Sequence, residues 1–242
     1  MKVLLIGATG NLGLRLVASL LTHNHSVVAY VRSSTKLESL LPESVFRQIT
    51  VVQGNATDAA AIKRAILDAG CDAVVNTAGV AAVAPWAKTD LPVIFRAVVD
   101  GVREAGEERK RPLRVWFLAG LGVLHYPGSE VMLSSYMPIF LAHRTNHALL
   151  ASLPPNTLNW SMLCPSTMTP EAADMTVPTP PSKSGKLIAS ATTPPAWQDS
   201  GMNAGRYDTT LEQNAEFIAG DLAGGEASQW SGKAVGVISE GK

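Results

Sequence analysis

The fold is decided by the stretch Lys2-Val3-Leu4-Leu5-Ile6-Gly7-Ala8-Thr9-Gly10-Asn11-Leu12-Gly13 near the start of the chain. After the lysine, residues 3–6 are all aliphatic, which is typical of a strand buried on both faces of a parallel sheet. Residues 11–23 place leucines at helical spacing, so a helix follows the glycines. A strand, a glycine-rich turn and a helix in this order predict the first βα unit of a parallel sheet.

Strand and helix signals alternate along the rest of the chain. Strands are predicted at residues 26–31, 49–52, 72–76, 113–118, 158–163 and 233–238, and helices at residues 58–69, 91–105, 138–153 and 211–222. Strands separated by helices pair in parallel through right-handed crossovers. The expected class is therefore α/β, a Rossmann doubly wound parallel sheet with helices on both faces and ligands at the carboxyl ends of its strands.

Length and composition restrict the organisation and the partners. The 242 residues suit one large domain, so residues 1–242 are predicted as a single domain with a substrate-loop region at roughly 167–210. Lys+Arg and Asp+Glu number 20 each, a balance that offers no field to attract nucleic acid or an anionic membrane. Two cysteines in apolar runs and no visible targeting segment lead us to expect a cytoplasmic protein. The sequence leaves open whether it is a monomer or a homodimer.

The glycines at positions 7, 10 and 13 meet a specific physical need. One permits the tight turn, another lets the backbone approach a pyrophosphate, and the last lets the helix pack against the strand. The pyrophosphate then lies at the helix N-terminus, where free N–H groups and the helix dipole favour negative charge. A ligand-free glycine turn is the alternative. We expect a dinucleotide, bound by Gly7, Thr9, Gly10, Asn11, Leu12 and Gly13.

The end of the second predicted strand distinguishes NADP from NAD. An acidic residue there would bind the ribose 2′-hydroxyl, whereas a basic residue accommodates a 2′-phosphate. The sequence reads Tyr30-Val31-Arg32-Ser33-Ser34-Thr35-Lys36, with no acid before Glu38. Arg32 and Lys36 therefore predict NADP(H), although a solvated basic turn would have the same composition.

Two more turns follow predicted strands at the same edge of the sheet. Asn55 and Ala56 follow the third strand and are predicted to flank the adenine. Thr77, Ala78 and Gly79 follow the fourth strand and are predicted to lie beside the ribose. Both segments also have ordinary turn composition.

These segments together resemble the atypical short-chain dehydrogenase/reductase superfamily, and more closely its NmrA-like and biliverdin/flavin-reductase-like branch. The resemblance covers nearly the whole chain and includes the predicted helix at residues 211–222. It implies that the nicotinamide lies near Gly120, Pro165, Ser166 and Thr167. It also implies a substrate pocket closed by residues 121–136 and 167–210.

The chain departs from that superfamily in its catalytic residues. Typical members use a Tyr and a Lys four residues apart to deliver a proton, and no Tyr of this chain has a Lys at that spacing. The resemblance places Ile139 at the Tyr position, His143 at the Lys position, and Ala119-Gly120 where a Ser or Thr is usual. His143 is therefore a candidate for ribose binding and acid catalysis, and Tyr136, two helical turns earlier, is the second catalytic candidate.

A substrate pocket is predicted to include His125, Tyr126, Trp86 and Met168. Aromatic and apolar side chains of this kind suit a flat, apolar small molecule, although loop or core packing explains them equally well. No metal is expected, because His143 and His147 share a helix face but no third ligand is evident.

Three functions are consistent with these residues. The first, which we favour, is an NADPH-dependent reductase that transfers hydride to an apolar conjugated or aromatic molecule without the Tyr–Lys relay. The second is an NADP-binding regulator or sensor that performs no chemistry. The third is a non-redox enzyme, an isomerase or cyclase, that keeps NADP(H) as a structural element.

Overall fold

A computed structural model describes residues 1–84, 86–171, 185–197, 204–225 and 227–240. Its strands are β1 (Lys2–Ile6), β2 (Ser26–Val31), β3 (Thr50–Gln53), β4 (Ala73–Asn76), β5 (Arg114–Leu118), β6 (Asn159–Cys164), β7 (Met168–Thr169), β8 (Leu187–Ala191), β9 (Thr209–Thr210) and β10 (Lys233–Ser239). Its α-helices are α1 (Asn11–Thr22), α2 (Ser34–Leu40), α3 (Glu43–Phe46), α4 (Ala59–Ala69), α5 (Leu91–Glu108), α6 (Ala142–Ala151) and α7 (Leu211–Ala223). Short 3₁₀ turns lie at Leu121–Val123, Leu133–Ser135 and Ala204–Tyr207.

Eight strands form one sheet in the order β3-β2-β1-β4-β5-β6-β10-β8. All neighbouring strands run parallel except β8, which pairs antiparallel with β10 at the edge. The order reverses between β1 and β4, which is the switch point where doubly wound sheets open a ligand crevice. The predicted Rossmann-like α/β fold is confirmed, with the antiparallel edge strand as an addition.

Strand β1 shows how the sheet is buried on both faces. Leu4 and Ile6 belong to one core cluster, which packs against α4, α5 and α6. Val3 and Leu5 point to the other face and join a second cluster with residues of α1 and α7. Because alternate residues of one strand enter both cores, the continuous apolar run is required and the turn after it is held rigidly.

Helix α1 is tied to the other side of the molecule by a buried ion pair. The Arg15 guanidinium donates to the Glu212 carboxylate of α7 over 2.6 Å, and both side chains are almost completely buried. The second oxygen of Glu212 accepts the backbone N–H of Glu171 at 3.0 Å. The helix after the glycine turn and the segment after β7 are therefore anchored to the same carboxylate.

The helix predicted at residues 138–153 is shorter than expected. It begins at Ala142, because Phe140 has a φ of +53° and interrupts the helical path. It ends at Ala151, before Pro154, whose ring disfavours helical geometry in the residue that precedes it. Tyr136 is therefore not on this helix, and its predicted spacing from His143 along one helix face is wrong.

Other differences concern short elements near turns. Strand β8 lies within the predicted substrate-loop region at roughly 167–210, and it forms because β10 offers a free edge. Helices α2 and α3 were not predicted either. In the predicted substrate-loop region at 167–210, residues 172–184 and 198–203 lie outside the described residues. Within the described ranges, no helix combines the length and the apolarity needed to cross a bilayer.

Candidate functional site

Two adjoining depressions open at the carboxyl edge of the sheet. We call the smaller, of about 200 Å³, the cradle, and the larger, of about 710 Å³, the cavity. They share Gly79 and Val80, which follow β4. The cradle is lined by Ile6, Gly7, Thr9, Gly10, Tyr30, Val31, Arg32, Gly54, Ala56, Thr77, Ala78, Gly79 and Val80.

The glycine turn is packed so tightly that side chains are excluded from it. Gly7 has a φ of +96°, and a Cβ atom there would lie 2.7 Å from the backbone nitrogen of Ala78. A Cβ atom on Gly13 would lie 2.1 Å from the carbonyl oxygen of Gly7. Gly10 closes the turn by donating its N–H to the same oxygen at 2.9 Å. Gly7 and Gly13 therefore have a steric reason to be glycines, and the turn lies directly against the segment after β4.

The N-terminus of α1 faces the cradle without a neutralising group. No side chain caps the helix at Gly10, and its first turn contains no acid. The first N–H groups of a helix have no intrahelical acceptor, and the helix dipole adds partial positive charge there. The arrangement fits the pyrophosphate of a dinucleotide, which needs close backbone donors more than side chains.

Arg32 gives the cradle its only full charge among the described lining residues. Its guanidinium is exposed at the end of β2, and its carbonyl oxygen accepts the side-chain amide of Gln53. Tyr30 lies beside it and donates its hydroxyl to the carbonyl oxygen of Asn55 at 3.2 Å. Burial raises the pKa of Tyr30, so its hydroxyl stays protonated and fixes the turn after β3. The cradle is therefore positive at this end and suited to a phosphate.

The cavity is assembled from segments that follow four different elements. It is lined by Gly79, Val80, Ala81, Ala119, Gly120, Leu121, Gly122, Val123, Leu133, Ser134, Met137, Ile139, Phe140, His143, Arg144, Pro165, Ser166, Thr167 and Met168. The backbone N–H of Phe140 donates to the carbonyl oxygen of Val83 at 3.2 Å, which joins two of these segments across the opening. Most of the lining is apolar, so the cavity suits an apolar molecule.

His143 lies in the cavity wall against Gly120. A Cβ atom on Gly120 would lie 3.3 Å from the imidazole Cδ2, so the absence of a side chain makes room for the ring. Burial lowers the pKa of His143 to about 4. Its buried Nδ1 has no hydrogen-bond partner among the described residues. The imidazole is therefore neutral at physiological pH and can exchange hydrogen bonds, but it is not a cationic acid.

Ser134 is the second polar group of the cavity wall that lacks a partner. It is 4% exposed, and its Oγ finds no hydrogen-bond partner in the described structure. Gly122 lies against it, where a Cβ atom would be 3.3 Å from the Ser134 Cβ. A buried hydroxyl without a partner costs free energy, which a ligand atom in the cavity would recover.

The structure brings most predicted cofactor residues to these two depressions. Gly7, Thr9, Gly10, Arg32, Ala56, Thr77, Ala78 and Gly79 line the cradle. Gly120, His143, Pro165, Ser166 and Thr167 line the cavity, together with the predicted substrate residue Met168. Asn11, Leu12 and Gly13 form the first turn of α1 just behind the cradle. Lys36 lies on the exposed side of α2, and Asn55 is exposed in its turn, and neither lines the cradle.

Four other predicted residues are not brought to the cavity wall. Tyr136 is 67% exposed and packs edge-on against Tyr126, with ring centroids 4.9 Å apart. Tyr126 also contacts the ring of Trp197. His125 lies 3.8 Å from the exposed carboxylate of Glu130, and Trp86 is 86% exposed. The contacting rings of Tyr136, Tyr126 and Trp197 form an aromatic surface beside the cavity, and neither they nor His125 line it.

The sequence reasoning did not identify several residues of the cavity wall. Met137 and Phe140 line it just before α6, Arg144 lines it from the first turn of that helix, and Val80 and Ala81 line it after β4. Position 144 follows His143 directly, so the helix alignment could have pointed to it. Within the described ranges, no cluster of three or more His, Cys, Asp or Glu side chains is arranged to hold a metal ion.

Comparison with known families agrees with this geometry. A family model described as NAD(P)H-binding matches residues 7–192, most of the chain. The chain belongs to this NAD(P)H-binding family. The match spans the glycine turn, Arg32 and the segment after β6, so it includes the residues that line the cavity and all those that line the cradle except Ile6. The predicted membership in an NAD(P)-binding family is confirmed at the level of this family.

Several solved structures share the whole fold with this family member. A protein from Lactobacillus casei has a TM-score of 0.70 at 20% identity, covering 99% of both chains. A proposed NADH-flavin reductase from Streptococcus pneumoniae has a TM-score of 0.65 at 17% identity, covering 99% of this chain and 100% of its own. A short-chain dehydrogenase/reductase from Veillonella parvula in complex with NADP has a TM-score of 0.63 at 14% identity, covering 99% and 95%. A search of curated proteins gave no match.

Proposed function

We propose that the chain is an NADP(H)-dependent reductase that passes hydride to an apolar, conjugated or aromatic small molecule. The observation that carries this proposal is the junction of the cradle and the cavity at Gly79 and Val80. A dinucleotide seated along the glycine turn would extend past Gly79, and its far end would meet a molecule held in the cavity.

The cradle residues would hold the cofactor mainly through backbone and charge. The α1 N-terminus and the Gly10 backbone would bind the pyrophosphate, and Arg32 would pair with the 2′-phosphate of NADP. No acid is among the described lining residues of the cradle, so nothing there favours the free 2′-hydroxyl of NAD. Pro165, Ser166 and Thr167 would position the nicotinamide end beside the cavity.

When bound, the nicotinamide supplies the hydride. The cavity wall would orient the acceptor against it and exclude water, because Leu121, Met137 and Ile139 are apolar. His143 is neutral above about pH 5, since burial lowers its pKa to about 4, so it would bind ribose or acceptor atoms without transferring a full charge. Acceptors such as flavins or quinones, whose reduced forms take a proton from solvent, suit this site better than simple ketones.

Two of the solved structures support the proposal by the names they carry. The Streptococcus pneumoniae protein is described as a proposed NADH-flavin reductase, and the Veillonella parvula protein was crystallised with NADP. Their identities to this chain are 17% and 14%, so they supply a precedent for the chemistry on this fold, and the residues above supply the argument.

The test is oxidation of NADPH in the presence of a flavin, a quinone or an enone, followed by the absorbance of the reduced nicotinamide. We expect turnover with at least one quinone or flavin. Ile139→Trp would place a larger ring in the cavity wall, obstruct the bound acceptor and lower turnover more than about tenfold, with little change in NADPH affinity. Val93→Trp is the matched control, because Val93 is 58% exposed and does not line the cavity.

Binding of NADPH without turnover of any acceptor would contradict the reductase and favour a second function, an NADP-binding sensor. One observation supports that alternative: the neutral His143 and the buried Ser134 provide no strong acid among the described lining residues. If NADPH is retained unchanged while another molecule isomerises or cyclises, the cofactor is structural and the third function holds.

We also propose that the protein works in the reducing environment of the cytoplasm. Cys71 and Cys164 are both buried free thiols, and burial raises the pKa of Cys71 to about 11 and that of Cys164 to about 12. Such thiols are poor nucleophiles, which is compatible with a structural role and gives no support for disulfide chemistry.

A further inference from the structure

The charge distribution of the cavity is one-sided. Arg144 is the one ionic side chain among its described lining residues, because His143 is neutral and no aspartate or glutamate is included. Arg144 is exposed, so it lies at the mouth of the cavity, and no described residue forms a hydrogen bond or ion pair with its side chain. An apolar cavity is therefore edged by one cation that has no counterion in the described structure.

The position of Arg144 on its helix makes this charge more unusual. It lies in the first turn of α6, where the helix dipole is positive and where acids are normally favoured. No acid occupies that first turn, and no side chain caps the helix at Leu141. The guanidinium at the cavity mouth therefore has no acid beside it in the first turn of its own helix. An anion bound at the mouth would stabilise this charge.

The buried wall of the same cavity offers a different kind of polar group. The Ser134 hydroxyl is 4% exposed and has no partner among the described residues, and the His143 Nδ1 is likewise unpartnered. Both groups are neutral, so they suit a carbonyl or hydroxyl of a ligand and not its charge. The cavity therefore has neutral hydrogen-bonding groups inside, apolar walls, and a cation at its mouth.

We propose that the ligand of the cavity is an aromatic or conjugated acid, whose apolar ring system lies inside and whose carboxylate pairs with Arg144 at the mouth. A guanidinium matches a carboxylate with two parallel hydrogen bonds, which fixes the orientation of the ligand as well as its affinity. This inference rests on the proposed function, because it identifies the class of acceptor that the reductase takes. It also predicts ligand binding that can be measured without turnover.

The test compares two fluorescent probes with the same ring system. Anilinonaphthalene sulfonate carries an anionic group, and phenylnaphthylamine does not. We expect the wild-type protein to bind the sulfonate about tenfold more tightly. Arg144→Gln should abolish that preference and leave the affinity for phenylnaphthylamine unchanged. Arg144→Lys should retain part of it, because the charge remains while the fork of donors is lost.

Arg47→Gln is the matched control. Arg47 is an exposed arginine near the opposite edge of the sheet, and its partner Glu43 lies on the surface, so the preference should survive this change. Equal affinity of the wild type for both probes would overturn the proposal, and so would a preference for the sulfonate that survives Arg144→Gln. An equal loss of affinity for both probes in Arg144→Gln would also overturn the proposal, since Arg144 would then act through the shape of the cavity and not through its charge.

A last measurement separates this proposal from its alternatives. NADPH affinity should be the same in Arg144→Gln and wild type within about twofold, because Arg144 does not line the cradle. If Arg144→Gln lowers the affinity for NADPH as much as the affinity for the sulfonate probe, Arg144 binds the cofactor, and the proposal is overturned. If the probes bind in a charge-dependent way but NADPH is not oxidised, the proposed aromatic acid ligand is supported and the reductase is contradicted. If NADPH is oxidised but probe binding does not depend on charge, the reductase is supported and the aromatic acid ligand is contradicted.

Discussion

The cradle and the cavity share a wall at Gly79 and Val80 but are built by different means. The cradle is formed mainly by backbone around glycines whose missing side chains are required, since a Cβ atom on Gly13 would lie 2.1 Å from the carbonyl oxygen of Gly7. The cavity is formed by side chains of loops, with Met137 45% exposed and Phe140 38% exposed at its rim. Gly7 and Gly13 of the cradle therefore leave no room for a side chain, whereas the side chains of the cavity wall can change one at a time.

This difference indicates that the cradle would bind a phosphate group in a general way, whereas the cavity would select the second molecule. Backbone donors at a helix N-terminus bind a phosphate whatever the neighbouring side chains are. The ring that would lie in the cavity is selected by the volume, polarity and charge of its wall. The comparison predicts large and uniform effects for changes in the cradle, and smaller, ligand-dependent effects for changes in the cavity.

The largest effect is expected for Gly13→Ala. The new methyl group would meet backbone atoms of both Gly7 and Ala8, so α1 must move away from β1. We expect NADPH affinity to fall by more than about a thousandfold and the free energy of unfolding to fall by about 3 kcal/mol. Cofactor titration and urea unfolding measure the two quantities. Retention of NADPH affinity within about threefold would show that the turn is not the cofactor site.

Gly70→Ala is the control for that change. Gly70 has a φ of +65° at the end of α4, but nothing lies within 4 Å of the added Cβ. We expect a loss of about 1 kcal/mol in unfolding free energy from backbone strain and no change in NADPH affinity. Comparison of Gly13→Ala with Gly70→Ala therefore separates the effect of backbone strain in a turn from the effect of a steric clash in the cradle.

The next effect is expected for Arg32→Asp. The change replaces the one charged residue among the described lining of the cradle by one of opposite sign. We expect the ratio of NADPH to NADH affinity to fall by about a hundredfold, because the acid repels a 2′-phosphate and accepts a 2′-hydroxyl. Lys36→Asp should change the ratio far less, since Lys36 lies outside the cradle. An unchanged ratio in Arg32→Asp would remove the basis for NADP preference.

The third effect is a pH dependence of stability carried by His143. Its pKa is about 4 in the folded protein and about 6.5 when unfolded, so the unfolded chain binds the proton first as pH falls. This stabilising contribution is complete above pH 6.5 and is lost as pH falls towards 4. Between pH 7.5 and pH 5 we expect His143 to account for about 2 kcal/mol of lost unfolding free energy.

His143→Gln should remove that part of the slope, measured by urea unfolding at the two pH values. Burial also lowers the pKa values of His25 and His147, so a smaller slope of the same sign remains in the variant. His147→Gln is the control on the same helix. A slope that is identical in wild type and His143→Gln would mean that the imidazole is not buried in its neutral form.

The cradle could be predicted from the sequence because its determinants are local. The glycine turn, Arg32 and the turn after β4 each follow a strand that the apolar pattern reveals, and parallel strands bring their ends to one edge. The cofactor contact expected of Lys36 stays a prediction, because Lys36 is on the exposed side of α2 and does not line the cradle.

The cavity was harder to predict because its wall depends on how loops close over the sheet. The left-handed Phe140 shortens α6 and removes Tyr136 from the helix face on which its catalytic role was based. Tyr136 packs against the ring of Tyr126, which itself lies on the core, and this contact keeps Tyr136 outside the cavity lining. Neither effect has a local sequence signal, since phenylalanine rarely adopts positive φ and ring contacts depend on the tertiary structure.

The smallest effect is expected for Tyr136→Phe, and it gives the sharpest contrast with Ser134→Ala. Tyr136 is 67% exposed, so loss of its hydroxyl should change turnover by less than about twofold and leave stability unchanged. Ser134→Ala should lower turnover about tenfold, because a ligand loses a buried hydroxyl partner. The same change should raise unfolding free energy by about 1 kcal/mol, since it removes a buried polar group that has no partner in the described structure.

If Ser134→Ala raises the unfolding free energy but lowers turnover, the Ser134 hydroxyl serves the ligand and destabilises the folded protein. Measuring NADPH oxidation and urea unfolding on both variants separates the possibilities. If Tyr136→Phe lowers turnover more than tenfold while Ser134→Ala does not, the aromatic surface beside the cavity is part of the reacting site. The substrate site would then include residues 125–136 on the surface beside the cavity, and not the wall to which Ser134 and His143 belong.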